Sequence, residues 1–113
     1  MREIKFRGLV ESSELKIKHW VYYGIGTKPI LSLAKWIVED LEYTGLKDKK
    51  RKEIYEGDVL RHNTWGDTIV VWEEGMFRGQ NNDHDITLAD HQLKRSHIVG
   101  NIYENPNLLK VSS

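Results

Sequence analysis

The stretch from Tyr43 to Leu60, YTGLKDKKRKEIYEGDVL, sets the tightest limit on what this chain can fold into. It places bends close together, with only short apolar segments between them. Thr44-Gly45 offers a backbone bend, because glycine reaches positive φ without steric cost. Asp48-Lys49-Lys50-Arg51-Lys52 is a charged connector between Leu46 and the apolar pair Ile54-Tyr55. Glu56-Gly57-Asp58 makes a second sharp bend, where an Asp carboxylate bonds nearby backbone N–H groups in place of regular pairing. Val59-Leu60 then open the next strand. The segment reads as two turns and two short strands.

The flanks continue in the same style. Residues 3–10 alternate, with Ile4 and Phe6 on one face and Lys5 and Arg7 on the other, the period of a half-buried strand. After the polar break Glu11–Glu14, residues 15–25 read as the return strand. Leu15, Ile17, His19, Val21 and Tyr23 share one face there; Lys16, Lys18, Trp20 and Tyr22 share the other. Gly24, Gly26 and Pro29 then loosen the chain. Over 30–42 two readings compete. Leu33, Ile37 and Leu41 repeat at four, which favours a short helix; Trp36-Ile37-Val38 alone suits a strand. Val59–Arg61, a polar turn at 62–67 carrying Trp65, and TIVVWE at 68–73 predict a hairpin. Met76-Phe77 extend its pairing past Gly75. Residues 79–83 have the composition of an exposed loop, and 86–93 fit a strand or a helical turn. Residues 97–103 predict a strand with a bulge at Gly100-Asn101, ended by Asn105-Pro106.

TGLKDKKRKEIYEGDVL resembles the signature segment of the YopX family, small proteins encoded by bacteriophages and prophages. In that family Thr-Gly-Leu-Lys-Asp leads through a turn to Ile-Tyr-Glu-Gly-Asp. REIKFRG at 2–8 with WVYYG at 20–24 resembles its opening hairpin, and IVGNIYENPNLL at 98–109 its closing segment. Residues 25–41 and 75–97 are less similar. The main departure is in the central turn, where the family has Asn-Gly and this chain has Lys50-Arg51. The resemblance implies a mainly β fold in a single domain over 1–113. That fold is a small SH3-like barrel with an N-terminal β-hairpin extension, to which the favoured reading of 30–42 adds one short helix. Structural roles are implied for Thr44, Gly45, Asp48, Tyr55, Gly57, Asp58, Gly100, Asn101 and Pro106. No established biochemical activity comes with the resemblance.

Composition narrows the function. Lys+Arg and Asp+Glu stand at 17 each, so no net charge draws the chain to nucleic acid or anionic membrane. Apolar runs are only a few residues long, and the N-terminus lacks the pattern of a signal peptide. The absence of cysteine excludes disulfides, zinc–thiolate sites and cysteine nucleophiles. The cytoplasm of a bacterial host is the expected compartment.

Four groups of residues invite a chemical reading. His84, His91 and His97, with Asp83, Asp85 and Asp90, are of metal-ligand type, but their spacing matches no compact motif; a solvated loop is the expectation, with no cofactor. Asp48 and Asp58 are acid/base types, yet each has a simpler task beside its turn. No nucleophile elbow, phosphate loop or metalloprotease motif is present, so no enzyme is expected. The basic run Lys49, Lys50, Arg51, Lys52, with Arg61, suits phosphate contacts in a small barrel. Trp20, Tyr22 and Trp65, among four tryptophans and five tyrosines, suit protein contacts or self-association. Protein binding is the leading expectation and nucleic-acid binding the alternative.

Overall fold

The computed structural model describes residues 3–64, 66–88 and 93–105. Among them run β1 (Lys5–Ser12), β2 (Lys18–Gly24), β3 (Ala34–Lys47), β4 (Glu53–Tyr55), β5 (Asp58–His62), β6 (Gly66–Glu73), β7 (Met76–Gln80), β8 (Asp85–Thr87) and β9 (Ser96–Asn101). They form two antiparallel sheets, ordered β2-β1-β3-β4 and β8-β7-β6-β5-β9. The fold is mainly β, as expected. Neither sheet closes on itself, so strand pairing does not complete the expected barrel. Two compact units divide the chain, Met1–Tyr43 and Thr44–Ser113, and β3 runs through the boundary.

In the first unit, β1 and β2 form the expected hairpin in unbroken register from Lys5↔Gly24 to Glu11↔Lys18. The loop is longer than the alternation suggested. The Lys16 N–H bonds the Ser12 carbonyl at 3.0 Å, and Lys16 takes a positive φ of 56°. Leu15 and Ile17 therefore leave the strand face that the alternation gave them and are exposed. Leu9 and Val10, from opposite faces of β1, are buried, with Tyr23, Leu41 and Tyr43. On one face Phe6 stacks on Tyr23 at 6.0 Å, and Trp36 meets Tyr23 edge-on at 5.8 Å. Trp36 covers Gly8, where a Cβ would lie 2.5 Å from the indole.

The expected helix over 30–42 is absent, and Ala34 onward is strand. Its pairing with β1 slips twice, between Arg7 and Leu9 and between Leu9 and Val10. Ala34, Trp36 and Val38 are partly buried, then Leu41 and Tyr43 are buried, with Glu39 and Asp40 exposed between them. One inserted residue switches the inward parity from even to odd. That switch imitates a spacing of four over part of the segment. Leu33 and Ile37 are exposed while Leu41 is buried, so the three share no helical face.

A small polar network holds the slip in place. Asp40 has φ of 60°. The Tyr23 hydroxyl donates to Asp40 Oδ1 at 2.7 Å and accepts the Asp40 N–H at 2.8 Å. Lys28 Nζ reaches Glu39 at 2.7 Å and lies 5.2 Å from the Trp36 ring centre. The Tyr23 hydrogen bond, helped by Lys28, holds the Asp40 carboxyl below its ordinary pKa, while burial and Asp40 push the Tyr23 phenol up.

In the second unit, β5 to β8 form a meander, and β9 returns to pair with β5. Ile54, Leu60, Val70, Phe77 and Leu93 make its core, with Leu46, Leu88 and Ile98 against them. Each fully buried aliphatic there contributes about 1.5–3 kcal/mol over its exposed state. The β6–β7 hairpin turns on Glu74 (φ 53°) and Gly75 (φ 80°), the pair of positive values that a two-residue hairpin favours. The bulge expected near Gly100 is present: Val59 pairs with Gly100 and Leu60 with Ile98, leaving Val99 as the extra residue. The stretch 86–93 begins as strand in β8 and Leu93 is helical; the residues 89–92 lie outside those described.

Tyr23→Phe tests the first unit's network, because it keeps the ring and removes the hydroxyl. Loss of two hydrogen bonds should lower stability by about 1–2 kcal/mol in thermal unfolding. Asp40's folded pKa is depressed, so its contribution is present above the unfolded value and is lost as pH falls through the folded one. In the variant, the Asp40 titration followed by NMR should move up, and the acid-side loss of stability should shrink.

Candidate functional site

The central turn is the most elaborately built part of the second unit. The Arg51 N–H bonds the Asp48 carbonyl at 2.9 Å, and the Asp48 N–H bonds the Lys52 carbonyl at 2.9 Å. This is a β-turn centred on Lys49-Lys50, followed by Arg51 as a left-handed bulge residue with φ of 69°. Of the Lys50-Arg51 pair, only Arg51 takes positive φ. The strain of a left-handed non-glycine residue therefore falls on Arg51, where the family pattern has glycine.

Asp48 is the centre of this arrangement. It is buried, at 4% exposure. Oδ1 accepts the N–H groups of Lys50 and Lys52 at 2.8 and 2.9 Å, and Oδ2 accepts that of Ile98 on β9 at 2.9 Å. The Lys49 N–H bonds the Ser96 carbonyl at 3.0 Å. The turn is therefore docked on β9, beside His97, which pairs with Arg61 across β5–β9. Lys49 to Lys52 and Arg61 expose their side chains.

His97 reports the field at this place. Burial, and then the charges of Lys49, Lys50 and Arg61, lower its pKa. Its Nδ1 is buried without a hydrogen-bond partner. Three of the five basic residues named from the sequence thus act together on one imidazole. Arg61 is already engaged, however, with Nε and Nη2 on the two oxygens of Asp67 at 2.8 and 3.0 Å.

The other motif residues have backbone tasks. The Thr44 hydroxyl donates to the Ile54 carbonyl at 2.8 Å and accepts the Leu46 N–H, across Gly45 at φ of 85°. Tyr55 is buried, and its N–H bonds buried Asp58 at 2.8 Å. Gly57, at φ of 90°, donates to the Val70 carbonyl and accepts the Ile102 N–H; a Cβ there would strike the Tyr103 ring at 2.6 Å. Asn101 Oδ1 accepts the N–H groups of Tyr103 and Glu104. Asp48 and Asp58, considered as acid/base groups, both serve turns. Pro106 lies outside the described residues.

The aromatic candidates divide. Trp20 is partly buried under the Arg7 guanidinium, 4.1 Å from its ring centre, while Tyr22 is 57% exposed. Trp65 lies outside the described residues. The larger apolar surface was missed in the sequence: Leu15, Ile17, Ile25, Ile30 and Leu33 are all more than half exposed, Ile30 at 99%. For Ile25, Ile30 and Leu33 the available signal was their position in a stretch broken by Gly24, Gly26 and Pro29, before β3 begins at Ala34.

Of the histidine group, His84 is exposed beside the Asn81 turn, and Asp85 is bound by Arg78 Nε at 2.6 Å. Asp90 and His91 lie outside the described residues. No cluster of three or more possible metal ligands occurs among the described residues. No helix among them is long and apolar enough to cross a membrane.

Two substitutions separate strain from support in the central turn. Arg51→Gly should raise the thermal midpoint, stabilising by a few tenths to about 1 kcal/mol, because glycine removes the left-handed penalty but adds unfolded-state entropy. Asp48→Ala should cost at least about 3 kcal/mol, because it strands three backbone donors. A neutral Asp48→Ala in urea unfolding would refute the docking role.

Among curated proteins, none matches this chain at a significant level. The family profile described as YopX protein matches residues 6–110, from β1 through the turns built on Asp48, Gly57 and Asn101 and beyond. With nearly its whole length so matched, the chain belongs to the YopX family.

Proposed function

We propose that this protein is a non-enzymatic protein-binding module of phage or prophage origin, acting in the cytoplasm of a bacterial host. The observation that carries this reading is the aliphatic surface of the first unit, where Leu15, Ile17, Ile25, Ile30 and Leu33 stand in water. Covering such surface returns about 25 cal/mol per Å², and Ile25, Ile30 and Leu33 lie within one short stretch of chain. The family motif supports the non-enzymatic part, since Asp48 and Asp58 direct carboxylate oxygens to backbone N–H groups. The test is capture from a lysate of prophage-carrying cells. Wild type should retain a protein after nuclease treatment, and the Ile25→Asp/Ile30→Asp variant should lose it while keeping its circular dichroism. Equal capture by both would refute the reading.

A second reading, an accessory nucleic-acid binder, is favoured by the convergence of Lys49, Lys50 and Arg61 on His97. The Arg61–Asp67 pair and the balanced charge oppose it. The expected outcome is weak binding of random DNA or RNA at physiological salt. Sub-micromolar affinity with a steep salt slope, and a His97 pKa that rises when an oligonucleotide is added, would instead establish this reading.

A further inference from the structure

We propose that protonation of His97 releases the central turn from β9, which makes that turn an acid-sensitive cover on the end of its sheet. β9 ends the sheet of the second unit, and two of its backbone groups are taken by the turn. The Ser96 carbonyl accepts the Lys49 N–H, and the Ile98 N–H goes to Asp48 Oδ2. His97 sits between those two contacts. Edge strands left open invite pairing with other chains, so the state of this cover governs access to β9.

The imidazole stands where a second proton is poorly accommodated. Its Nδ1 is buried without a hydrogen-bond partner. The neutral ring can keep its proton on Nε2 and leave only a lone pair at Nδ1; the imidazolium carries an N–H at both nitrogens. Protonation therefore strands a buried donor, which costs more than a typical hydrogen bond returns. The new charge also meets cations. Lys49 and Lys50 on the turn and Arg61, directly opposite on β5, act against it, while Asp48 acts for it. Both Asp48 oxygens already accept backbone N–H groups, and Asp67 on β6 is engaged by Arg61. Lifting the turn takes Lys49 and Lys50 away from the ring. Burial and those cations hold the His97 pKa below its ordinary 6.5. A histidine with a depressed folded pKa contributes stability that is present above the unfolded value and lost as pH falls through the folded one.

NMR tests this, with pH moved from about 7.5 to about 5 across the ordinary histidine value. Amide exchange at Lys49 and Ile98, corrected for its intrinsic pH dependence, should quicken about five-fold or more, with the midpoint of the His97 ring signals. His62 is the internal comparison, because its Nδ1 accepts the Thr64 N–H at 2.9 Å and its protonation loosens Thr64, not the central turn. Asp40 lies outside the window, since its carboxyl is held below 3.8. His97→Phe should abolish the change at Lys49 and Ile98 and leave the Thr64 amide as it was. Should that variant fail to fold, Lys49→Gln/Lys50→Gln, at two exposed positions, should move the release midpoint to higher pH. Titration of His97 with no change at Lys49 and Ile98 would mean that the ring turns outward under a docked turn, and overturns the proposal. The same pH dependence in His97→Phe, or an unmoved midpoint in the lysine variant, overturns it as well.

Discussion

The second unit depends on one buried carboxylate. Asp48 takes backbone N–H groups from within and just after its own turn and from Ile98, far along the chain. Local turn geometry and long-range docking thus share one side chain. The β3–β4 hairpin is short, and isolated two-stranded ribbons are marginal in water. Fixing its turn to β9 removes the freedom that a charged loop would otherwise keep. A buried charge is tolerable only when hydrogen bonds replace its hydration, and here three short ones do so.

The same chemistry recurs through the family motif. Thr44 bridges β3 to β4, Asp58 caps the Tyr55 N–H, Gly57 clears space for Tyr103, and Asn101 gathers the chain after β9. Each replaces a backbone partner or permits a close approach where the chain leaves a sheet. The residues by which the family is recognised therefore specify turns. That explains why they give the fold more readily than an activity.

The sequence was legible where turn chemistry and alternation agreed. The N-terminal hairpin, the β5–β6–β7 meander and the bulge near Gly100 follow from residue type alone. It misled where parity changed within a strand. Around Asp40 one extra residue turned an alternating pattern into a spacing of four, and the hydroxyl that stabilises the slip comes from Tyr23, 17 positions earlier. Leu15 and Ile17 misled for a related reason: alternation continued into a loop that Lys16 closes with left-handed φ. The exposed aliphatics were illegible because period identifies a face without saying whether anything covers it. The convergence on His97 was half legible, since the basic run is contiguous but the register that brings Arg61 beside His97 is set by the bulged β9 strand.

The placement of the basic run bears on which reading of function the chain supports. Lys49, Lys50 and Arg61 lower the His97 pKa while Asp48 acts in the opposite direction. Cations and buried carboxylate therefore act on the same few ångströms of β9. Cations beside a buried carboxylate offset part of its desolvation, and solvated lysines suit a loop that projects past a sheet. Both effects give the run a structural purpose without any ligand. Nothing comparable accounts for Ile25, Ile30 and Leu33, whose exposure returns no free energy to the single chain. Charge at the turn is explained by the fold that carries it; apolar surface in the first unit is not. On the proposed reading, that surface is what a protein partner would cover.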